Sequence, residues 1–99
     1  MTAKGGAIPV LMRPGEIIDL KAAVFRTGKN EKTIRRWCKA DGIGRRTSAG
    51  ATWEISALAL EAKRYGDEDA LDDLRRGRFA SERVRRYAEM LGLAADGRG

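Results

Sequence analysis

The residues best suited to contact another molecule are four cations within residues 27–42, whose sequence is TGKNEKTIRRWCKADG. Asn30 can cap a helix through its side-chain oxygen, and Gly42 is a favourable residue at which that helix ends. With the helical period, one arc of this helix carries only cations, with no acid between them: Lys32, Arg35, Arg36 and Lys39. Such a face is suited to a groove lined by phosphates. A solvated surface that happens to be basic is the alternative, because helical basic patches alone are weak nucleic-acid signals.

The opposite arc of the same helix is apolar and consists of Ile34, Trp37 and Cys38. We expect Trp37 to be a core residue rather than a wedge that stacks on a base, given its place on this arc. We expect Cys38 to be a small buried apolar group rather than a redox site. The helix is therefore predicted to turn one face to the core and the other to a partner.

Catalytic chemistry finds little support in this sequence. The chain has no histidine, which removes the usual general base, Ser-His and Cys-His nucleophile pairs and nearly all zinc sites. Glycine motifs of the Walker and dinucleotide-binding types are absent as well. A single cysteine cannot form an internal disulfide, which agrees with a reducing compartment. The sequence therefore predicts no enzymatic activity, no cofactor and no metal site.

Charge is segregated along the chain of 99 residues, which carries 20 Lys or Arg and 14 Asp or Glu. Residues 21–46 hold nine cations against two acids, residues 47–74 hold two against seven, and residues 75–99 hold seven against three. A surface charged only for solubility would not be divided in this way. The distribution favours an anionic partner for the first basic segment.

A second short helix is predicted just before the basic one. Asp19 can cap a helix over residues 20–27, and Gly28 can end it, which leaves a gap of only residues 28–30 between the two helices. Two short helices joined by so tight a turn containing glycine are typical of a helix-turn-helix. Phe25 points away from the inner stripe of the first helix, and we expect the N-terminal arm or the last helix to cover it.

The residues after Gly42 predict a β-hairpin with strands over 43–46 and 51–55, joined by turn residues. A helix-turn-helix followed directly by a hairpin is a winged helix arrangement. Arg45 and Arg46 lie at the base of this wing. They can contact DNA, or they can be solvated charges that protect an edge strand from pairing with another sheet. The sequence leaves these two interpretations open.

Further helices follow the hairpin, and each begins with a favourable cap: Ser56, Asp67 and Ser81. The last helix has an apolar stripe at helical spacing: Val84, Tyr87, Ala88 and Leu91. We expect this stripe to dock on the main domain, on a partner or on a second copy. Residues 8–12 are apolar and contain Pro9, so they predict an edge strand or an arm packed on the core.

The predicted fold class is mainly α with a small β-hairpin, a winged helix-turn-helix with additional C-terminal helices. We divide the chain into an N-terminal tail and arm (1–15), a DNA-binding domain (16–66), C-terminal helices that dock or oligomerise (67–92) and a loose tail (93–99). No apolar run is long enough to cross a bilayer, and no secretory signal opens the sequence. We therefore expect a cytoplasmic, nucleoid-associated protein.

The combined pattern resembles the winged helix-turn-helix of the MerR-type superfamily, and within it the phage excisionase-like branch. Four segments carry the resemblance and cover roughly the middle half of the chain: IDLKAA at 18–23, TGKNEKTIRRW at 27–37, the IGRR…GATWEI hairpin at 43–55 and SALAL at 56–60. Their order is fairly specific, although each segment alone is a weak signal. The chain departs from the metal-responsive and drug-responsive regulators, since it lacks their cysteine ligands, effector domain and long dimerising helix.

The resemblance implies that residues after the Thr-Ile pair enter the major groove and that the wing contacts the backbone or the minor groove. The candidate DNA-binding residues are Lys32, Thr33, Arg35, Arg36, Lys39, Arg45, Arg46 and Thr47. The implied partner is double-stranded DNA, with a second copy on an adjacent site or a recombinase beside it, and with neither a membrane nor a small-molecule cofactor. An excisionase-like accessory factor or small transcription regulator of a phage or mobile element is the expected function. Small subunits of phage terminases share a similar winged domain followed by oligomerising helices, and they are the alternative.

Overall fold

The chain forms five α-helices and a small three-stranded antiparallel sheet over residues 8–93, the part that the computed structural model describes. The predicted mainly helical class with a small amount of β-structure is confirmed at that level. The tail that we placed at residues 93–99 begins with Leu93, which packs against the core and whose amide donates to the Ala88 carbonyl at 2.7 Å. The remainder of that tail, and residues 1–7 of the N-terminal tail, lie outside the described residues.

The first two helices begin and end where the sequence predicts. Helix α1 spans Leu20–Thr27 and helix α2 spans Glu31–Asp41. Asp19 and Asn30 are their N-caps, and each side chain accepts a hydrogen bond of 2.8 Å from a main-chain amide in the first turn. Gly28 ends α1 with a φ of 73°, a left-handed conformation that favours glycine, so the chain reverses into α2 within three residues.

The sheet contains the predicted hairpin and one additional strand. Strand β1 spans Ile17–Ile18, β2 spans Gly44–Arg45 and β3 spans Glu54–Ser56, in the spatial order β1-β3-β2. The ladder between β2 and β3 contains only two residue pairs, Gly44 with Ile55 and Arg45 with Glu54, so the hairpin strands are shorter than expected. The sequence pattern does not predict β1, since two residues are too few to show alternation. Ile18 lies opposite Ile55, so β1 connects the start of α1 to the centre of the sheet.

Three further helices follow the sheet: α3 at Ala57–Arg64, α4 at Glu68–Arg75 and α5 at Glu82–Met90. Each begins after its predicted cap, whose side chain accepts a hydrogen bond from a main-chain amide of the first turn: Ser56, Asp67 and Ser81. These three helices pack on one another, and α3 also packs on α1 and β3. Helix α3 is therefore the element that joins the first two helices and the sheet to the C-terminal helices.

One cluster of buried apolar side chains runs through the predicted segments 16–66 and 67–92 alike. Every helix contributes at least one fully buried side chain to it: Ala23, Ile34, Leu58, Leu74 and Val84. The apolar stripe of α5 docks on this core, since Val84 and Ala88 are fully buried and Leu91 is half-buried against the cluster. This packing corresponds to the first of the three alternatives for the stripe, docking on the main domain.

Residues 8–12 form an arm on the core rather than an edge strand. The Val10 side chain is buried, and its amide donates to the Gly42 carbonyl at 2.9 Å. The Leu11 amide donates to the Leu74 carbonyl at 3.1 Å. The arm thus runs between the carboxyl ends of α2 and α4 and bonds to both.

No residue among 8–93 covers Phe25. Its side chain is 89% exposed, because it lies on the face of α1 opposite the buried Ala23. Both the arm and α5 pack elsewhere, so the expectation that one of them covers Phe25 is wrong.

Candidate nucleic-acid interface

Helix α2 brings the four predicted cations together on its outward face. With Ala40 they line one shallow surface depression of about 340 Å³: Lys32, Arg35, Arg36 and Lys39. Three of these side chains are exposed, and Arg35 is half-buried. The common arc predicted from the helical period is therefore confirmed.

The four cations differ in what they contact inside the chain. Lys32, Arg36 and Lys39 have no ion-pair partner among residues 8–93. Arg35 donates from Nη1 to Glu31 Oε1 at 3.1 Å. Glu31 lies one helical turn before Arg35, at the edge of this face rather than between its cations, so no acid interrupts the row. An exposed pair of this kind contributes only about 0.3–0.5 kcal/mol, so a phosphate can displace Glu31 from Arg35.

Thr33 lies at the amino end of this face. Its amide donates to Asn30 Oδ1 at 2.8 Å, and its side chain is half-buried. The hydrogen bond to the cap fixes the first turn of α2, and with it the start of the row of cations.

The inner face of α2 attaches this row to the core. Ile34 and Cys38 are buried, whereas Trp37 is half-buried against the core cluster. Lys63 Nζ of α3 lies 5.5 Å from the centroid of the Trp37 ring, a cation–π contact. Burial raises the pKa of the Cys38 thiol to about 12, so the thiol stays protonated and unreactive at neutral pH. The predicted core roles of Trp37 and Cys38 agree with this arrangement.

The hairpin cations have partners within the hairpin. Arg45 Nε donates to Glu54 Oε1 at 2.9 Å across the β2–β3 ladder, and both side chains are about half exposed, at 47% and 46%. Arg46 Nη1 donates to the Ala49 carbonyl at 2.9 Å, and its guanidinium carbon lies 4.7 Å from the centroid of the Trp53 ring. Arg46 thus closes the hairpin loop, while Arg45 forms an exposed pair that water and salt weaken.

The structure therefore divides the predicted site residues between two places. The depression on α2 includes neither the two hairpin arginines nor Thr47, which is exposed in the loop between β2 and β3. Three further exposed cations of the first basic segment have no ion pair among residues 8–93: Lys21, Arg26 and Lys29. They were not predicted as site residues, although the charge excess of residues 21–46 already indicated them.

Cations of residues 63–86 are mostly neutralised by nearby acids. Six of them form ion pairs: Lys63 with Asp41, Arg64 with Glu61, Arg75 with Glu68, Arg76 with Asp72, Arg78 with Asp73, and Arg83 with Asp67 and Asp69. Arg85 and Arg86 are exposed and have no ion pair among residues 8–93. The acidic cluster at the start of α4 is thus used within the chain.

Residues 8–93 hold no group of three or more His, Cys, Asp or Glu side chains that could ligate a metal ion. Within the same range, no helix is both long and apolar enough to cross a membrane. The candidate site is the basic face of α2.

No protein-family model matches this chain, and neither a curated protein nor a solved structure matches it. The resemblance to the winged domains of the MerR-type superfamily therefore rests on the quoted sequence segments alone.

Proposed function

We propose that this chain binds double-stranded DNA as a winged helix-turn-helix protein, with α2 in the major groove and the β2–β3 hairpin against the backbone. One observation carries the proposal: four cations share the outward face of α2, and three of them have no ion pair among residues 8–93. Cations without an internal partner can replace the counterions of a phosphate backbone. An α-helix also has the width that the major groove of B-DNA admits.

The order of elements supports the same proposal. Helix α1, a turn of three residues, α2 and then the hairpin follow one another as in a winged helix. In this arrangement Lys32, Arg35, Arg36 and Lys39 contact bases and phosphates, whereas Arg45 and Thr47 contact the backbone. Duplex RNA fits less well, because side chains cannot read its deep, narrow groove.

An accessory or regulatory factor of a phage or other mobile element is the role that the resemblance favours. A single winged domain reads few base pairs, so a second copy on an adjacent site or a recombinase supplies further specificity. The terminase-like alternative needs an oligomer built through the C-terminal helices. Val84 and Ala88 of α5 are fully buried within one chain, so this assembly would have to use another surface.

A salt titration against duplex DNA tests the proposal. The test variant replaces Lys32, Arg36 and Lys39 by Ala, and binding to a labelled duplex is followed by fluorescence anisotropy. The control variant replaces three exposed, paired cations of the C-terminal part by Ala: Arg64, Arg76 and Arg78. Both variants lose the same charge, so a difference between them reports location rather than net charge.

The expected result is tight binding by the wild type that weakens steeply between about 50 and 200 mM salt. The slope of log affinity against log salt is negative, and its magnitude should decrease by about 3 in the test variant. Each lost phosphate contact removes about 0.9 from that magnitude. The control should keep the wild-type slope. Equal losses in the two variants, or stronger binding to duplex RNA than to duplex DNA, would contradict the proposal.

A further inference from the structure

The carboxyl end of α2 is gripped by an arginine from α4. Arg75 Nη2 donates to the Asp41 carbonyl at 2.9 Å, and Arg75 Nε donates to the Ile8 carbonyl at 3.2 Å. The Arg75 side chain is only 15% exposed, and its contact with Glu68 is long, at 3.9 Å. Its guanidinium therefore bridges two main-chain carbonyls, one from the basic helix and one from the arm.

Other contacts hold the same helix end. Lys63 Nζ of α3 lies 3.0 Å from Asp41 Oδ2, and the Val10 amide donates to the Gly42 carbonyl. Gly42 has a φ of 74°, and a Cβ atom there would lie 2.6 Å from the Ile8 carbonyl oxygen and 2.8 Å from Pro9 Cα. The arm is thus packed so closely on the helix end that only glycine fits.

These contacts use the chemistry that a helix end offers. The last carbonyls of an α-helix lack partners within the helix and carry partial negative charge. A guanidinium presents several N–H donors in a rigid plane, so it can bind two carbonyls at once in a fixed geometry. A lysine at the same position would bring a mobile point charge without this geometry.

We propose that Arg75 is a positioning residue for DNA binding, which holds the carboxyl end of α2 against the arm and so sets the orientation of the basic face. This inference rests on the proposed function. Contacts to base edges need accurately placed side chains, whereas attraction to phosphates tolerates small displacements. Loss of the Arg75 bridge should therefore reduce the discrimination between DNA sequences more than the affinity for DNA in general.

The test compares two variants that lose the same charge at adjacent positions. Arg75→Met removes the bridge, whereas Arg76→Met removes an exposed side chain whose ion pair is with Asp72. The probes are a duplex selected by the wild type from a random-sequence library and a scrambled duplex of the same composition. Arg75→Met should lower the affinity ratio of the two duplexes about ten-fold, a small part of the usual specific-to-non-specific ratio. Its affinity for the scrambled duplex and its salt slope should remain within about two-fold of wild type.

Two further variants distinguish loss of the Arg75 bridge from a general folding defect. Arg75→Lys keeps the charge and can satisfy one carbonyl, so its ratio should lie between those of the wild type and Arg75→Met. Gly42→Ala disturbs the same contact by a different route, because its Cβ displaces Ile8 and Pro9 of the arm. It should therefore also lower the affinity ratio of the two duplexes. Amide hydrogen exchange of the free protein adds a readout without DNA: exchange at Val10 should be faster in Arg75→Met than in Arg76→Met.

The outcomes separate this inference from the proposed function. A selective wild type together with an equally selective Arg75→Met protein would overturn the positioning role and leave the proposed function intact. A wild type that selects no duplex would overturn the proposed function, and hydrogen exchange alone would then decide the role of Arg75. Faster exchange at Val10 in Arg75→Met than in Arg76→Met would show that Arg75 holds the helix end, whereas equal exchange in the two variants would overturn that role.

Discussion

The first basic segment, residues 21–46, and the segment of residues 63–86 carry similar numbers of cations and use them differently. In residues 21–46, two of nine cations pair with an acid, whereas in residues 63–86 six of eight do. A count of charges along the sequence does not reveal this contrast. What matters for a polyanionic partner is whether a cation already has an anion beside it.

Asp67 shows how the acids of the C-terminal helices are used. Its carboxylate caps α4 through the Ala70 amide and accepts hydrogen bonds from the Tyr87 hydroxyl at 2.9 Å and from Arg83 at 3.2 Å. Burial alone would raise the pKa of Asp67, but these hydrogen bonds and the charge of Arg83 hold the pKa below its usual value. Burial and the neighbouring Asp67 carboxylate raise the pKa of Tyr87 to about 12. The acid therefore ties α5 to the start of α4.

The largest expected effect tests whether the first two helices and the C-terminal helices unfold independently. Leu74 of α4 is fully buried in the cluster that also contains Ile34 of α2, so Leu74→Ala should cost about 2–5 kcal/mol. Urea unfolding should be measured by tryptophan fluorescence and by far-UV circular dichroism. Both tryptophans, Trp37 and Trp53, lie outside the C-terminal helices, yet their transition should shift together with the helical signal. Met90→Ala, at an exposed position, is the control. Separate transitions would show that the regions fold independently.

A smaller effect is expected where a single cation reads the DNA sequence. If Arg35 grips a guanine edge, Arg35→Ala should cost about 1–3 kcal/mol and relax the choice of base at one position. Competition between the selected duplex and its single-base variants measures this. Arg76→Ala, from the paired set, should leave both affinity and base preference unchanged. Wild-type DNA affinity in an Arg35→Ala, Arg36→Ala double variant would show that α2 is not part of the DNA interface.

A third effect concerns pH and the paired region. Because the folded-state pKa of Asp67 is lowered, its ionised form stabilises the fold above the unfolded-state pKa, and this stability is lost as the pH falls through the folded-state pKa. Asp67→Asn should thus cost about 1–2 kcal/mol at neutral pH. The difference from wild type should shrink below about pH 4, near the usual pKa of an aspartate. Urea unfolding across this range measures it, with Tyr87→Phe removing one of the hydrogen bonds alone. A difference that is constant with pH would contradict the role of the ionised carboxylate.

The smallest effect is expected from two substitutions, each of which removes the acid partner of one cation. Glu54→Gln frees Arg45 in the hairpin, and Asp72→Asn frees Arg76 in α4. Each change should alter the free energy of unfolding by less than about 1 kcal/mol, because both pairs are exposed. DNA affinity at low salt should rise in Glu54→Gln and change less in Asp72→Asn, although each gains one positive charge. Equal gains would mean that net charge, and not the position of the cation, governs binding.

The local elements of the fold could be predicted from the sequence. The N-caps Asp19, Asn30, Ser56, Asp67 and Ser81 start the helices where expected, since each hydrogen bond spans only three residues. The shared face of the four cations on α2 follows from the helical period in the same way. The ion pair of Glu31 with Arg35 is also local, because the two residues are one helical turn apart. The helical period predicts it once acids as well as cations are placed on the helix.

Contacts between residues far apart in the sequence determine which cations keep their charge available and how α2 is held. Arg75 and Asp41 are 34 residues apart, and Tyr87 and Asp67 are 20 apart. Strand β1 has two residues and exists because β3 lies beside it. Contacts of this kind leave no periodic or short-range pattern, because their geometry is fixed by the packing of the whole core rather than by neighbouring residues. The residues that give α2 its charge could therefore be predicted from the sequence. Those that orient α2 could be identified only from the fold.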